Sequence, residues 1–266
     1  MKRVVAGGLT LVLSAALPAY AGLFYSEKFN NQSYQRIFDD PDHVIIGTIS
    51  DVCVLRFPGD PASRISGFYD NTVILLDAGY QKAMWNYYNP SGEYYCLRGF
   101  LGEDELAFPK GIDVALNGAG YIADTHHHRI IKMQAVFQSD GLHLEKVGYI
   151  GGLGREDGKF ISPYDVAIRE QTGNIYVSDF GNHRIQEFDA DGNHIRTLSG
   201  LGSAHGQFNS PRGIDVTDWG YLVVADTGNG RVQGFSNGAV FDKEIVRGGP
   251  IPADAEFIDV AVTPGG

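Results

Sequence analysis

Short apolar runs that lead into a single acidic residue recur along this chain. Thr72-Val73-Ile74-Leu75-Leu76, Tyr121-Ile122-Ala123, Asn174-Ile175-Tyr176-Val177 and Tyr221-Leu222-Val223-Val224 lead to Asp77, Asp124, Asp179 and Asp226. Four variable residues and then a base follow each acid: Lys82, Arg129, Arg184 and Arg231. Another run begins beyond the base, as in Ile130-Ile131-Lys132-Met133 and Ile185-Gln186-Glu187-Phe188. Runs this short, rich in β-branched and aromatic residues, predict strands rather than helices. Upstream of each lies a second phrase, Asp-Val followed by small or apolar residues, at Asp51, Asp113, Asp165, Asp215 and Asp259. These acids are spaced by 62, 52, 50 and 44 residues, and a period of that size predicts a repeat architecture.

Glycine turns complete each unit, at Ser91-Gly92, Asp140-Gly141, Asp191-Gly192 and Asn237-Gly238. Asp-Gly and Asn-Gly suit tight hairpins because both residues tolerate positive φ. Each unit therefore reads as four antiparallel strands. One such sheet cannot bury both of its faces alone, and packing units face to face around an axis gives an all-β fold, a β-propeller. The predicted organisation is a lead segment at 22–45 (a possible closing strand), a degenerate blade at 46–104 with an insertion at 56–69, blades at 105–151, 152–200 and 201–248, and a partial blade at 249–266.

The segments Phe160 to Phe188 and Phe208 to Phe235 carry Phe-x-x-Pro and then Asp-x-Gly-Asn-x-Arg-Ile/Val-Gln, and Phe108 to Met133 is a third copy. These residues resemble the NHL-repeat family of propellers. The resemblance covers roughly residues 46–262 and implies the fold far more strongly than any activity, because one fold hosts many functions. It also implies six blades in an intact molecule, so four blades and the first strand of a fifth predict a fragment of a longer product. Among similar propellers, amidating lyases hold a histidine-bound zinc and gluconolactonase-like proteins hold a divalent cation.

The N-terminus reads as a secretory signal. Lys2 and Arg3 precede the apolar run Val4 to Leu17, which is too short to span a membrane, and Ala19-Tyr20-Ala21 is a small-x-small cleavage site. Residues 1–21 would be removed, leaving a secreted or periplasmic protein that does not span a membrane. Cleavage removes Lys2 and Arg3 and no acid, so the formal net charge of −11 falls to −13. That charge argues against a nucleic-acid partner. Two cysteines are too few for the zinc modules that accompany the ubiquitin-ligase members of the family. Cys53 and Cys96 fall on the innermost and outermost strands of one unit, roughly 14 Å apart, and no disulfide is expected.

In a four-stranded blade, the loop into the first strand and the loop between the second and third lie on one face, the top. Tyr80, Lys110, His127, Tyr164, His183 and Arg212 fall there and are the candidate binding residues. The pairs Asp77–Lys82, Asp124–Arg129, Asp179–Arg184 and Asp226–Arg231 read as structure: each acid caps the following turn and each base reaches the acid or the next blade. A feature present four times argues for architecture. The inner-strand acids have the same reading, with a divalent cation in the central channel as the alternative. His126-His127-His128 looks like a metal site, but three consecutive residues of a tight turn cannot easily converge, and His126 aligns with the turn glycines Gly181 and Gly228. No metal or other cofactor is expected, His127 and His183 being the only weak candidates, and no catalytic residue is assigned. Asp189-Ala190-Asp191-Gly192-Asn193 is too short for a calcium loop and reads as a hairpin turn.

The reading is a non-catalytic exported scaffold that binds a protein, peptide or glycan through its top face. The alternatives are a metal-dependent lyase or hydrolase using the channel and a structural module of a larger surface protein. N-terminal sequencing of the exported protein should read Gly22 first; retention of residues 1–21 would overturn the signal assignment.

Overall fold

Strands form where the apolar runs predict them because both faces of most of these runs are covered. In the computed structural model, which describes residues 49–56, 71–78, 81–88, 94–96, 106–138, 141–246 and 259–260, sixteen strands make four antiparallel sheets. The first holds β1 (Ile49–Arg56), β2 (Asn71–Asp77), β3 (Lys82–Tyr88) and β4 (Tyr94–Cys96). The second holds β5 (Ile112–Val114), β6 (Ala119–Asp124), β7 (Arg129–Gln138) and β8 (Gly141–Gly151). The third holds β9 (Pro163–Arg169), β10 (Asn174–Asp179), β11 (Arg184–Phe188) and β12 (His194–Leu198). The fourth holds β13 (Ile214–Val216), β14 (Leu222–Asp226), β15 (Arg231–Ser236) and β16 (Val240–Val246). In each sheet the strands neighbour one another in chain order, and the first strands of successive sheets touch. Cys53 and Cys96 lie on β1 and β4, the two edges of the first sheet.

Three apolar cores fill the spaces between successive sheets. Ile74, Leu76, Ile112, Ile122, Ile131 and Met133 join the first two sheets. Tyr121, Ile130, Phe160, Val166, Ile175 and Val177 join the second and third, and Tyr176, Ile185, Phe208, Ile214, Leu222 and Val224 the third and fourth. On β10, Ile175 and Val177 face backwards and Tyr176 faces forwards, as the period of two requires. Middle strands buried on both faces therefore read as continuous apolar runs, whereas the outer β12 is only partly buried. At the hairpin tips, Gly192 and Gly238 take φ of 95° and 100°.

The inner strands correct one expectation. Measured from the turn acid, Val166 pairs with Val177 as Ile214 pairs with Val224 and Ile112 with Ile122. Asp165 therefore stands where the neighbouring sheets have Gly111 and Gly213, and Ala167 stands where they have Asp113 and Asp215. Asp51 falls with Asp165, since Val52 pairs with Leu75. The Asp-Val phrase is thus two phrases two residues apart, alternating from sheet to sheet. Both do the same work. Asp113 Oδ1 accepts the Val114 N–H at 2.9 Å, and its Oδ2 accepts the Ile168 N–H of the next sheet at 2.9 Å. Asp165 accepts Val166 N–H at 2.8 Å and Ile214 N–H of the next sheet at 2.9 Å. Each acid reaches the residue just after its own counterpart in the following sheet. Gly111 permits this approach: a Cβ there would overlap the Asp165 carboxylate and lie 2.6 Å from its Cα.

Asp165 is buried and Asp113 half-buried. Asp165→Ala leaves two buried N–H groups without their acceptor and should cost roughly 2–4 kcal/mol. Asp113→Ala should cost less, because water can reach its site. Equal unfolding midpoints in urea for the two variants would refute this ordering.

Candidate functional site

The top of the molecule is built from the turn after each second strand and the loop that leads into each sheet. After β6, β10 and β14 the chain makes one 3₁₀ turn and then one left-handed residue: His128 (φ 55°), His183 (φ 56°) or Gly230 (φ 60°). The left-handed position is therefore not the one held by Gly181, Gly228 and His126, as the sequence alignment suggested. Gly181 and Gly228 are glycines for lack of room: a Cβ would lie 2.7 Å from the Ile161 carbonyl oxygen and 2.6 Å from that of Asn209. The N–H groups of Gly181 and Gly228 donate to those carbonyls, and His126 donates to the Ala107 carbonyl. His126 does carry a side chain there, and its ring packs on Phe108 at 4.5 Å between centroids.

Asp124, Asp179 and Asp226 are wholly buried, but their carboxylates do not cap the turns that follow them, against expectation. One oxygen instead holds the lead-in loop, accepting the N–H of Ala107 at 2.6 Å, Ile161 at 2.8 Å or Asn209 at 2.7 Å. The other gathers side chains. Around Asp179 Oδ2 these are Asn182 at 2.8 Å, Arg184 at 2.8 Å and Gln186 at 3.1 Å. Around Asp226 Oδ2 they are Asn229 at 2.9 Å, Arg231 at 2.7 Å and Gln233 at 3.1 Å. Burial pushes the Asp179 carboxyl above its ordinary value, opposed by donors from Asn182, Ile161 and Arg184.

The arginines reach further along their own blade. Arg184 donates to the carbonyls of Arg155, Glu156 and Lys159, and Arg231 to those of Ser203, Ala204 and Gln207. Each pair thus fastens the loop between one sheet and the next. In the second sheet His127 takes the place of the asparagine, with Nδ1 2.9 Å from Asp124 Oδ2, and Arg129 Nε donates to the same oxygen at 2.7 Å. For Asp77 and Lys82 the backbone pairing of β2 with β3 is described, and their side chains lie outside the described residues.

The six candidate binding residues separate in three dimensions. Tyr80 lies outside the described residues. His127 belongs to the Asp124 network. His183 Nδ1 accepts the Ser210 N–H at 2.9 Å, as His128 Nδ1 accepts that of Ser162 at 2.9 Å, so these two rings latch each sheet to the next. Tyr164 and Arg212 do come together, with an aromatic the sequence reading missed. The Arg212 guanidinium lies 5.6 Å from the Tyr164 ring centroid and 5.8 Å from that of Phe180, and the two rings are 6.0 Å apart. Burial, then the Arg212 charge, holds the Lys110 ammonium below its usual range. The signal for Phe180 was a departure from the repeat, since Thr125 and Thr227 fill its position in the flanking sheets.

Two further suspects resolve into local structure. Asp189 Oδ1 accepts the N–H of Asp191 and of Asn193, its Oδ2 accepts Asn193 Nδ2, and these donors, Asn193 first, hold its carboxyl below the usual range. Among the described residues no group of three His, Cys, Asp or Glu side chains is arranged to hold a metal ion. The zinc implied by the resemblance to amidating lyases does not fit the described histidines: the Nδ1 atoms of His128 and His183 accept backbone N–H groups, which leaves the ring proton on Nε2, and His127 belongs to no group of three possible ligands among the described residues.

Four-stranded sheets succeeding one another about an inner row of first strands define a β-propeller. A family model of the NHL repeat matches residues 160–188 and 208–235. Over 140 residues the chain is 31% identical to the peptidyl-glycine alpha-amidating monooxygenase B of Xenopus laevis, a match that takes in 50% of this chain and 16% of that protein. It is 32% identical over 163 residues to the probable peptidyl-alpha-hydroxyglycine alpha-amidating lyase of Caenorhabditis elegans, covering 59% of this chain and 45% of that protein. The chain thus spans less than half the length of these curated relatives. Among solved structures, the nidogen/laminin complex contains a chain that aligns with a TM-score of 0.53 at 15% identity, over 81% of this chain and 68% of that one, a likeness of fold alone. The chain carries NHL repeats at residues 160–188 and 208–235 and has a β-propeller fold. No helix among the described residues is long and apolar enough to cross a membrane.

Arg184→Ala would strip one buried carboxylate of its counter-charge and three carbonyls of their donor, a loss on the order of 3–5 kcal/mol. Arg184→Lys should recover little of it, because one ammonium cannot reproduce the guanidinium fork. Thermal unfolding of the two variants checks this; near-wild-type stability of Arg184→Lys would show that charge alone suffices.

Proposed function

We propose that this propeller is a non-catalytic binding module of the secreted or periplasmic space, which takes a protein, peptide or glycan on its top face. The observation that carries the reading is the packing of Arg212 over Tyr164 and Phe180 across two successive sheets, with Lys110 of the preceding sheet near enough for the Arg212 charge to act on it. On the same face Asp124, Asp179 and Asp226 with their arginines serve the scaffold, tying loops to turns. Lys110, Tyr164, Phe180 and Arg212 vary where the scaffold repeats, which is how a rigid fold carries a single site. The candidate histidines His127 and His183 serve the scaffold in this reading, and Phe180 replaces them in the contact set.

A second reading, a metal-dependent lyase or hydrolase using the channel, has in its favour the likeness to the amidating monooxygenase and lyase. The described histidines weigh against it. Stoichiometric zinc or calcium in the protein purified from its native source, with an activity lost on chelation, would establish it over the binding module.

The double variant Tyr164→Ala/Arg212→Ala should abolish capture of an envelope or extracellular partner in a pull-down while the melting temperature stays within a few degrees of the parent. Undiminished capture would refute the assignment of this face.

A further inference from the structure

The Asn-Gly and Asp-Gly steps of this chain are not chemically alike. Where both residues are described, glycine follows an asparagine or aspartate at Gly118, Gly158, Gly192, Gly230 and Gly238. At all but Gly238 the glycine N–H is engaged. Gly118 donates to the Ala115 carbonyl at 2.9 Å, Gly192 to that of Asp189 at 3.0 Å and Gly230 to that of Thr227 at 3.0 Å. Gly158 donates to Gln186 Oε1 at 2.8 Å. No hydrogen bond engages the Gly238 N–H among the described residues, and Asn237 and Gly238 are both exposed.

The Asn237 side chain is distinct as well. Arg169, at the end of β9 in the third sheet, donates through Nη1 to Asn237 Oδ1 at 3.3 Å and through Nε to the Asp218 carbonyl at 3.1 Å. Its guanidinium is thus held against the bottom of the fourth sheet with one N–H on the amide oxygen. Gly220 makes room for it: a Cβ there would lie 2.8 Å from Arg169 Cζ and 3.0 Å from Asn237 Oδ1. Arg196 Nη1 donates to the Gly238 carbonyl at 2.7 Å, and Arg196 is itself paired with Glu187. A cation on an amide oxygen draws electron density from Cγ and favours negative charge that develops on that oxygen. The other two asparagines lack this arrangement. The Asn229 amide nitrogen is tied to the Gly202 carbonyl and to Asp226, and Asn117 Oδ1 accepts the neutral N–H of Ala119.

We propose that Asn237 is a site of self-modification, where the chain converts asparagine to aspartate and isoaspartate without an enzyme, Arg169 polarising the amide. The Gly238 nitrogen gives its proton to water or hydroxide and attacks Asn237 Cγ. The new N–Cγ bond closes a succinimide ring, the Cγ–Nδ2 bond breaks, and Nδ2 takes up a proton and leaves as ammonia. Glycine suits this attack because no Cβ crowds its nitrogen. Water then opens the ring. Cleavage of the N–Cγ bond gives aspartate. Cleavage between the nitrogen and the Asn237 main-chain carbonyl carbon gives isoaspartate, with one extra backbone atom in the loop. The net change is one water consumed, one ammonia released and one negative charge gained, with no oxidation or reduction. In the aspartate form the new carboxylate faces Arg169, so a hydrogen bond between two sheets becomes an ion pair.

The test incubates the purified full chain at neutral pH and body temperature, samples it over weeks and digests it with trypsin. Cleavage after Arg231 and Lys243 releases residues 232–243, in which Asn237 is the only asparagine. Residues 111–129 and 213–231 report Asn117 and Asn229 in the same digest. Mass spectrometry should show the gain from asparagine to aspartate in 232–243 roughly tenfold faster than in either of the others. The product should separate into two isomers, one of them a methyl acceptor for protein L-isoaspartate methyltransferase. Arg169→Leu should slow the conversion roughly tenfold, Arg169→Lys should restore part of it, and Asn237→Gln should abolish it. In urea the three asparagines should react at similar rates, because the ranking comes from the fold. No conversion at Asn237, conversion no faster than at Asn117 or Asn229, or a rate in Arg169→Leu equal to or above that of the parent would each overturn the inference. If Arg169→Leu does not fold, the comparison of the three sites in the unaltered chain still decides it.

Discussion

A buried carboxylate at the end of the second strand, in the second, third and fourth sheets, is the constraint on which the rest of this molecule depends. Asp179 and Asp226 are wholly enclosed, and an ionised group so placed is tolerable only with several donors around it. The donors come from different stretches of chain: the lead-in loop, the turn, and the start and interior of the third strand. The arginine that answers the carboxylate then spends its remaining N–H groups on carbonyls of the loop between sheets. A single charge thereby fixes the lead-in loop and the turn on one face. It also explains why that face is rigid enough to present a site.

The lateral order of the sheets depends on two smaller devices. Near the inner row, Asp113 and Asp165 each bridge to an N–H of the next sheet. On the top face, the rings of His128 and His183 do the same from left-handed positions. Both devices couple neighbours only, as expected of a repeat architecture in which each unit leans on the next. Between them lie the apolar cores, which supply most of the area removed from water and little of the register.

Several of these roles were legible in the residues. The strand runs, the glycine hairpins and the pairing of Asp with a base five residues on followed from period and spacing. The two inner-strand phrases were not separated, although a clue was present. From the inner acid to the turn acid there are 14 residues in the third unit and 11 in its neighbours. Alignment on Pro109, Pro163 and Pro211 places Asp165 opposite glycine. Matching the letters Asp-Val hid this, because the same hydrogen bonds can be made from either of two positions on one side of a strand. His127 and His183 looked chemical because histidine usually does. Only their neighbours reveal that one stands in for an asparagine at a buried carboxylate and the other accepts a backbone N–H from the next sheet.

The sequence by itself determined the secondary structure, the repeat and the propeller class, because these rest on periodicity and on turn residues, which are local along the chain. It also determined which positions depart from the repeat, Phe180 and Tyr164 among them. Only the tertiary structure decided which departures meet. Tyr164 with Phe180 and Arg212 come from two successive sheets, with Lys110 of the preceding sheet near enough for the Arg212 charge to act on it, and this arrangement depends on the rotation between blades and the close approach at Gly111. Neither is written in any one repeat, since both arise from the packing of one repeat against the next.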